Sequence, residues 1–273
     1  MAEHYHRRVL IEAAQRRDEN TVTLLFRDGA CSRARPGQYV MLWAPGRGEF
    51  PLSLSHAYPG EGLAGVTIRA RSERARAFLG LSPGEAVGIR GPLGTSFSIK
   101  DGRALLVGGG TGLAPLHLLA RELALQGPGP TLIAAARTSS ELLFREELEA
   151  LAAAGRLRLI YATEDGSAGQ RGLATDVFEQ ELKRAAPSAV YACGPEPMVA
   201  RIVKRALEQG LYVEASLERP FKCALGACGA CGLGRYLLCR EGPVLGPRQL
   251  AEVADELGIY TRDHSGRRVK LHA

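Results

Sequence analysis

This 273-residue sequence has no long apolar run, no lysine-rich block and few cysteines outside one short segment. No stretch of about 18 apolar residues occurs, so the sequence predicts no membrane-spanning helix. The N-terminal stretch MAEHYHRRVLIEAAQRRDEN lacks the apolar core and cleavage site of a secretory signal, which favours a cytoplasmic protein. In that reducing compartment, clustered cysteines indicate metal binding or redox chemistry rather than structural disulfides.

Positive charge is in excess but is not concentrated. The formal net charge is +6, yet only five of the 35 basic residues are lysines, and the arginines are spread along the chain among glutamates. A nucleic-acid-binding surface needs a basic block or a stripe of basic and aromatic residues. The sequence therefore predicts a solvated, arginine-rich surface and no nucleic-acid partner.

Residues 1–100 contain short segments rich in Val, Leu, Ile and aromatic residues, separated by turn clusters such as DGA, RPG, APGRG and SPG. Many short strands at this spacing indicate a barrel or a sandwich, and we predict an N-terminal antiparallel β-barrel. A helical turn is expected near residues 73–80. The predicted strands are 21–26, 38–43, 51–55, 65–70 and 85–90.

From residue 101 to 212 the pattern changes to apolar strands that alternate with amphipathic helices, which predicts an α/β domain with a parallel sheet. We expect Ser139 or Ser140 to cap the helix ELLFREELEALAAAG. Residues 213–273 are expected to form a small irregular segment around the cysteines, followed by a polar tail. Three units are thus predicted, divided at residues 100 and 212.

Two motifs lie at the ends of predicted parallel strands. In GGGTGLAP, residues 108–115, glycine lets the backbone approach a pyrophosphate, and the following helix offers it N–H groups. The spacing differs from the dinucleotide fingerprint, and a tight turn is the alternative interpretation. The segment YACGPEPM places Cys193 near the same ligand, because ligands bind at the carboxyl ends of parallel strands. The alternative for Cys193 is a small buried hydrophobic residue.

Four of the six cysteines fall within residues 223–239. Cys223, Cys228 and Cys231 follow the pattern C-x4-C-x2-C, the plant-type spacing of a [2Fe–2S] cluster, and seven residues separate Cys231 from Cys239. Zinc sites more often use two separated C-x2-C pairs, so iron–sulfur is favoured over zinc. The small residues between the cysteines leave backbone N–H groups able to point at the sulfurs.

A barrel, then GGGTGLAP, then CGPEPM, then a cysteine cluster is an order that resembles the ferredoxin-reductase-like flavoprotein family. The segment SLERPFKCALGACGACGLGRYLLCREGPVL is similar, more narrowly, to the cluster segment of the electron-transfer subunits of two-subunit, NAD-linked dihydroorotate dehydrogenases. RPGQYVMLW, FPLSLS and GPLGTSF share this similarity, which extends over about residues 7–247.

The resemblance implies a role for each matching residue. The barrel would bind FAD, the middle domain NAD(H) and the C-terminal loop one [2Fe–2S] cluster. The implied flavin-binding residues are Phe50, Pro51, Leu52, Ser53, Thr67, Ile68, Arg69, Arg74 and Ala75. The implied nicotinamide-nucleotide residues are Gly109, Gly110 and Gly112, with Cys193 near the hydride-transfer edge. The implied cluster ligands are Cys223, Cys228, Cys231 and Cys239.

The sequence departs from the family pattern in two places. The family usually has arginine where Phe50 stands, and Gly-Thr where Arg74 and Ala75 stand. The lost flavin-phosphate cation could be replaced by Arg69, Arg71 or Arg74, which lie close together in the sequence.

The resemblance implies an oxidoreductase subunit that relays electrons between NAD and an FMN-containing dihydroorotate dehydrogenase catalytic subunit. The two subunits would form a hetero-oligomer, expected to be a heterotetramer. Alternative partners are a hydrogenase, a sulfite reductase or an NADH–ferredoxin reductase system. A non-enzymatic, zinc-stabilised interaction module is the alternative from another class. The preference for NAD over NADP stays open, because Arg137 could meet a 2′-phosphate or lie on the surface.

Overall fold

The computed structural model describes residues 5–70, 72–127, 129–263 and 265–271. Its first part is a closed antiparallel barrel with the strand order β1-β2-β5-β4-β3-β6. A short helix, α1 (Glu73–Arg76), follows β5 and is capped by Ser72, whose hydroxyl accepts a hydrogen bond from the N–H of Ala75. The strands are β1 (Arg7–Asp18), β2 (Thr21–Arg27), β3 (Tyr39–Ala44), β4 (Gly48–Tyr58), β5 (Leu63–Arg69) and β6 (Ala86–Leu93).

The barrel confirms the predicted fold class, with one strand more than the sequence suggested. Strand β1 pairs with β2 on one side and β6 on the other, and so closes the barrel. Its sequence RRVLIEAAQRRD carries six charged residues, and only Val9 and Ile11 are buried. The apolar alternation of this strand is too weak to be recognised from its own sequence. Its pairing with the neighbouring strands defines it as a strand.

The second part is a seven-stranded sheet with the order β10-β9-β8-β7-β11-β12-β15, parallel except at β15 (Val244–Leu245). This arrangement confirms the predicted α/β domain. Its strands are β7 (Ala104–Gly109), β8 (Thr131–Ala136), β9 (Arg158–Thr163), β10 (Gln170–Arg171), β11 (Ala189–Cys193) and β12 (Tyr212–Ser216). Its helices are α2 (Leu113–Gln126), α3 (Arg145–Ala153), α4 (Ala174–Arg184) and α5 (Glu196–Glu208).

Helix α3 begins later than the sequence suggested. Ser139–Glu141 form a separate 3-10 turn, and the residue before the helix is Phe144, in the left-handed region at φ 57°. The Phe144 ring is fully buried and stacks on His117 of α2, with ring centroids 4.4 Å apart. The predicted cap at Ser139 or Ser140 is therefore wrong, because burial of Phe144 sets where the helix can start.

The C-terminal part packs against the edge of the sheet. Strand β15 pairs antiparallel with β12 and attaches the cysteine segment to the α/β domain. None of the helices within the described ranges is long and apolar enough to cross a membrane. The remaining elements are β13 (Gly232–Leu233), β14 (Tyr236–Leu237), α6 (Leu238–Glu241), β15 (Val244–Leu245), α7 (Pro247–Val253), β16 (Tyr260–Arg262) and β17 (Arg268–Lys270).

Specific hydrogen bonds join the barrel to the α/β domain. The Nδ1 atom of His117 on α2 lies 2.9 Å from the carbonyl oxygen of Ser55 on β4. The hydroxyl of Thr95, just after β6, donates to the carbonyl of Val244 on β15 over 2.7 Å. These contacts set the barrel against the sheet, and a cavity opens between them.

Candidate functional site

The cavity between barrel and sheet is lined by residues from both parts of the chain. The barrel and the turn that follows β5 contribute aromatic and apolar side chains, three serine or threonine hydroxyls and one arginine. The α/β part contributes residues at and beyond the carboxyl ends of β7, β11 and β12. Open α/β sheets bind ligands at this edge. The lining residues are Tyr39, Phe50, Pro51, Leu52, Ser53, Thr67, Arg69, Ser72, Ala75, Thr111, Ala114, Cys193, Ser216, Leu217, Glu218, Arg219, Phe221 and Pro243.

Most of the residues singled out for flavin binding line this cavity. Phe50, Pro51, Leu52, Ser53, Thr67, Arg69 and Ala75 all do so. Ile68 does not, because side chains alternate along a strand, and Ile68 is buried on the core face of β5. Arg74 is not among the lining residues, and its guanidinium donates to the carbonyl of Glu49.

The cations proposed to replace the missing arginine have different surroundings. Arg69 lines the cavity, and its guanidinium lies 3.3 Å from the carboxylate of Glu141 while donating to the Glu141 carbonyl over 3.0 Å. Arg71 lies outside the described residues. A second lining cation, Arg219, is bound to Glu196 over 2.7 Å. Of the three arginines suggested by the sequence, Arg69 has a lining position.

The glycine-rich turn between β7 and α2 lies against the turn after β11. A methyl group on Gly109 would stand 2.9 Å from the Pro195 ring and 3.0 Å from the Met198 sulfur. A methyl group on Gly112 would come closer than 3.0 Å to the backbone of Cys193 and Gly194. Gly112 therefore packs two loops together, whereas Gly109 and Gly110 line a second cavity.

This second cavity runs along the carboxyl ends of β7, β8 and β9. Its walls are mainly small and apolar, with Glu164 as the one carboxylate and Arg201 as the one cation among the described lining residues. Such a shallow groove beside a glycine turn suits a nucleotide. The lining residues are Gly109, Gly110, Ala135, Ala136, Glu164, Gly172, Leu173, Ala174, Thr175, Pro195, Pro197, Met198 and Arg201.

Cys193 ends β11 and faces the first cavity while being almost fully buried. Burial strongly raises the pKa of its thiol, so the group is neutral at physiological pH. Both interpretations of this residue thus describe the same position, a small buried side chain in the cavity wall. A neutral thiol here is not an activated nucleophile.

The four cysteines of residues 223–239 come together in two contacting pairs. The Cys223 thiol contacts that of Cys228, and the Cys231 thiol contacts that of Cys239. No group of three or more His, Cys, Asp or Glu side chains in the described ranges is placed to hold a metal ion as the thiols stand. Four thiols in two pairs are the donor set that a [2Fe–2S] cluster takes, two for each iron.

Backbone N–H groups point at these sulfurs. The N–H of Leu225 lies 3.4 Å from the Cys223 sulfur, and that of Cys239 lies 3.4 Å from the Cys231 sulfur. Burial would raise the pKa of Cys223, but the N–H groups that follow it, Leu225 first, outweigh burial and lower the pKa to about 6. Contact with the Cys239 thiol lowers the pKa of Cys231 to about 7 and raises that of Cys239.

Two barrel residues, Tyr39 and Arg90, form hydrogen bonds to the backbone of the cysteine segment. The Tyr39 hydroxyl donates to the carbonyl of Cys239 over 2.9 Å, and the Tyr39 ring meets Phe221 edge-on at 4.8 Å. Arg90 donates to the carbonyl of Cys223 over 3.2 Å and is held by Glu49 at 2.6 Å. Tyr39 and Phe221 also line the cavity, so Tyr39 belongs to the cavity wall and bonds to the cysteine segment at once.

Sequence reasoning missed Tyr39, Phe221 and residues 216–219. The last group begins at the final residue of β12, a strand that lies mostly within a stretch expected to be irregular. Recognising YVEAS as a parallel strand would have found them, since ligand-binding residues follow such strands. Nothing local marks Tyr39, whose hydroxyl partner is 200 residues away.

Comparisons with known proteins agree with this geometry. A family model described as an oxidoreductase NAD-binding domain matches residues 106–204. A curated relative from Thermoplasma acidophilum, named "probable dihydroorotate dehydrogenase B (NAD(+)), electron transfer subunit", is 35% identical and covers 97% of this chain and 98% of its own. A relative of the same name from Methanothermobacter thermautotrophicus is 40% identical, covering 92% of both chains.

Solved structures share the fold. The structure of the NADH-dependent reduced ferredoxin–NADP oxidoreductase aligns with a TM-score of 0.77 at 26% identity, over 91% of this chain and 89% of the other. A ferredoxin NADP⁺ reductase from Neisseria gonorrhoeae, with bound FAD and NADP, aligns with a TM-score of 0.63 at 18% identity, over 75% of this chain and 92% of the other. The second similarity concerns the fold alone.

Proposed function

The chain belongs to the family of dihydroorotate dehydrogenase B electron transfer subunits, and from that premise we propose that it relays electrons between a partner catalytic subunit and NAD in pyrimidine biosynthesis. FAD and a [2Fe–2S] cluster are the proposed resident cofactors, and the partner is the FMN-containing subunit that oxidises dihydroorotate. The observation that carries the proposal is the position of Tyr39, which lines the first cavity and donates a hydrogen bond to the Cys239 carbonyl.

The first cavity is the proposed FAD site. A bound flavin can take up or give two electrons as a hydride and can also transfer electrons one at a time, so it connects the two kinds of carrier. Phe50, Leu52 and Phe221 offer the apolar walls that a ring system needs, and the hydroxyls of Ser53 and Thr67 offer hydrogen bonds. Arg69 is the cation proposed to meet the flavin phosphates in place of the arginine missing at Phe50.

The second cavity is the proposed NAD(H) site. Gly109 and Gly110 lie in both the turn and the cavity wall, and a side chain on Gly109 would meet Pro195 and Met198. The bare backbone there lets a pyrophosphate come close. Cys193 lies where the two cavities approach each other and is proposed to pack beside the hydride-transfer edge as a neutral thiol.

Cys223, Cys228, Cys231 and Cys239 are the proposed cluster ligands. Their loop also offers a docking surface for the catalytic subunit, because Cys228 and Leu225 are exposed at the surface, Leu225 with 48% of its area. An exposed leucine beside an electron carrier suits a partner that must bring its own cofactor near. The tail after Gly242 is proposed to extend this surface.

The first test is an anaerobic visible spectrum of the purified chain before and after NADH, together with iron and zinc analysis. We expect flavin bands over a broad iron–sulfur absorption, both bleached by NADH. A colourless, zinc-containing protein that takes up neither iron nor FAD would overturn the relay and leave the zinc-stabilised interaction module.

A second candidate is a ferredoxin-linked reductase, favoured by the similarity to the NADH-dependent reduced ferredoxin–NADP oxidoreductase. The two candidates differ only in the partner. Co-purification from native extract is expected to recover a dihydroorotate dehydrogenase catalytic subunit. Recovery of a ferredoxin or a hydrogenase subunit instead would end the pyrimidine assignment.

A further inference from the structure

A fully buried histidine lies where the barrel meets the α/β domain. His117 belongs to the second turn of α2, and its neighbours Leu116 and Leu118 are buried leucines. Burial lowers the pKa of His117 to about 4, so its ring is neutral at physiological pH and carries a single N–H. A polar ring buried among apolar side chains costs stability unless it is hydrogen-bonded. The bond made by this one N–H therefore matters.

The N–H of His117 bonds to strand β4 of the barrel. The Nδ1 atom lies 2.9 Å from the carbonyl oxygen of Ser55, and since a carbonyl oxygen can only accept, the hydrogen is on Nδ1. The register between β4 and β5 shifts between Leu54 and His56, with Ser55 as the extra residue. The extra residue of such a bulge is left outside the regular ladder. His117 thus bonds to β4 at the point where the ladder is interrupted.

The surroundings of the imidazole hold its orientation. The Phe144 ring stacks on it at 4.4 Å and within 8° of parallel, and the His56 ring lies 5.0 Å away. The Nε2 atom of His117 is buried and has no hydrogen-bond partner among the described residues. A leucine would fill a similar space without burying an unpaired nitrogen. The bond from Nδ1, and not packing alone, therefore explains a histidine here.

This bond joins a segment that lines the first cavity to one that lines the second. Ser53, two residues before Ser55, lines the first cavity, and the Ser55 hydroxyl lies 3.0 Å from that of Thr67, which lines it as well. Helix α2 continues directly from the turn in which Gly110 lines the second cavity. His117 therefore ties the wall of the first cavity to the turn that borders the second.

We propose that His117 is a positioning residue, whose bond to Ser55 sets the distance between a flavin in the first cavity and a nicotinamide dinucleotide in the second. This inference rests on the proposed function, because it requires both cofactors. Oxidation of NADH to NAD⁺ moves one hydrogen and two electrons to FAD, which becomes FADH⁻, and no further reactant takes part. The rate of such a transfer depends steeply on geometry, and a misplacement of about 1 Å can lower it about a hundredfold.

The test measures how fast NADH reduces the FAD-loaded chain, by anaerobic stopped-flow absorbance at saturating NADH, together with the FAD content and the Kd of NAD⁺. His117→Leu removes the N–H. His117→Asn and His117→Gln are a matched pair, since the amide N–H of asparagine lies near the position of Nδ1, whereas that of glutamine lies near the position of Nε2.

We expect His117→Leu and His117→Gln to slow flavin reduction about tenfold or more, and His117→Asn to recover most of the rate. The FAD content and the Kd of NAD⁺ should stay unchanged in all three variants. A merely structural role would instead lower the FAD content and weaken NAD⁺ binding together with the rate.

A second measurement is independent of activity. NMR of the chain carrying isotope-labelled histidine should show a slowly exchanging N–H on Nδ1 of a neutral imidazole, and His117→Leu should remove this signal. The measurement tests the bond in the wild-type protein, whether or not the variants fold.

Several results would overturn the role of His117: wild-type rates in His117→Leu or His117→Gln, an equal fall in all three variants, a loss of FAD that accompanies the lower rate, or a wild-type ring with its hydrogen on Nε2. A wild type that takes up no FAD, or whose flavin NADH does not reduce, would instead overturn the proposed function.

Discussion

Gly112→Ala tests whether the turn before α2 needs glycine at this position for its backbone conformation or for close packing. Gly112 has φ −63° and ψ −12°, a conformation that alanine adopts without strain. In open space this change would therefore stabilise the protein, by about 0.4–1 kcal/mol, because alanine restricts the unfolded chain. Here the added methyl group would come closer than 3.0 Å to the carbonyl group of Cys193 and the nitrogen of Gly194.

The clash is with backbone atoms, which cannot move aside as a flexible side chain would. Overpacking of this kind costs about 1–3 kcal/mol, and we expect the upper end of that range. For a protein of this size, about 3 kcal/mol lowers the Tm by roughly 6–12 °C. NAD⁺ binding should weaken as well, because the turn carrying Gly109 and Gly110 must shift away from the end of β11.

The measurement is thermal unfolding followed by circular dichroism, with the Kd of NAD⁺ taken on the same samples. Gly127→Ala is the control, since Gly127 ends α2 in extended backbone with no atom within 4 Å of the added methyl group. It should change the free energy of unfolding little. If Gly112→Ala proved as stable as Gly127→Ala, the close packing of the two loops would be refuted.

Three further predictions test the other parts of the site. Cys231→Ser should lose iron and the broad visible absorption while keeping FAD, as metal analysis and spectra would show; retention of full iron would remove this residue from the ligands. Arg69→Ala should lower the FAD content of the purified chain and Arg74→Ala should not, because Arg69 lines the cavity and Arg74 does not; equal FAD content would end the compensation argument. Arg90→Met should cost about 1–3 kcal/mol of stability at pH 7, since it leaves the largely buried Glu49 carboxylate without its main partner. Burial alone would raise the pKa of Glu49, but its bond to Arg90 lowers it, so the difference between wild type and variant should shrink as pH falls below about 4.5 and Glu49 is protonated; a pH-independent difference in urea titrations would contradict this.

Prediction succeeded where the signal is local in the chain. The strand TLIAAA is found at Thr131–Ala136 as expected, and the helix expected after GGGTG is α2. The cysteine spacing alone placed four thiols in one segment, and the structure brings them into contact. In each case the pattern lies within about fifteen residues, a range over which backbone geometry limits what the chain can do.

Prediction failed where contacts with residues distant in the sequence determine the local structure. Strand β1 carries too many charges to be recognised alone and exists because β2 and β6 flank it. The start of α3 depends on Phe144 stacking on His117, 27 positions earlier in the chain. Thr67 and Ile68 are neighbours in one motif, yet only the barrel's closure decides which of the two faces the cavity.

The sequence by itself determined which candidate binding residues occur together, the glycine turn and the four cysteines, because such motifs act through the local backbone. The sequence also indicated the order of barrel, α/β domain and cysteine segment, for the same reason. The tertiary structure alone decided the relation between the sites. The bonds from Tyr39 and Arg90 to the cysteine segment join residues that are 200 and 133 positions apart. Contacts of that range arise only when the barrel and the sheet bury their facing surfaces against each other, and no local pattern encodes them.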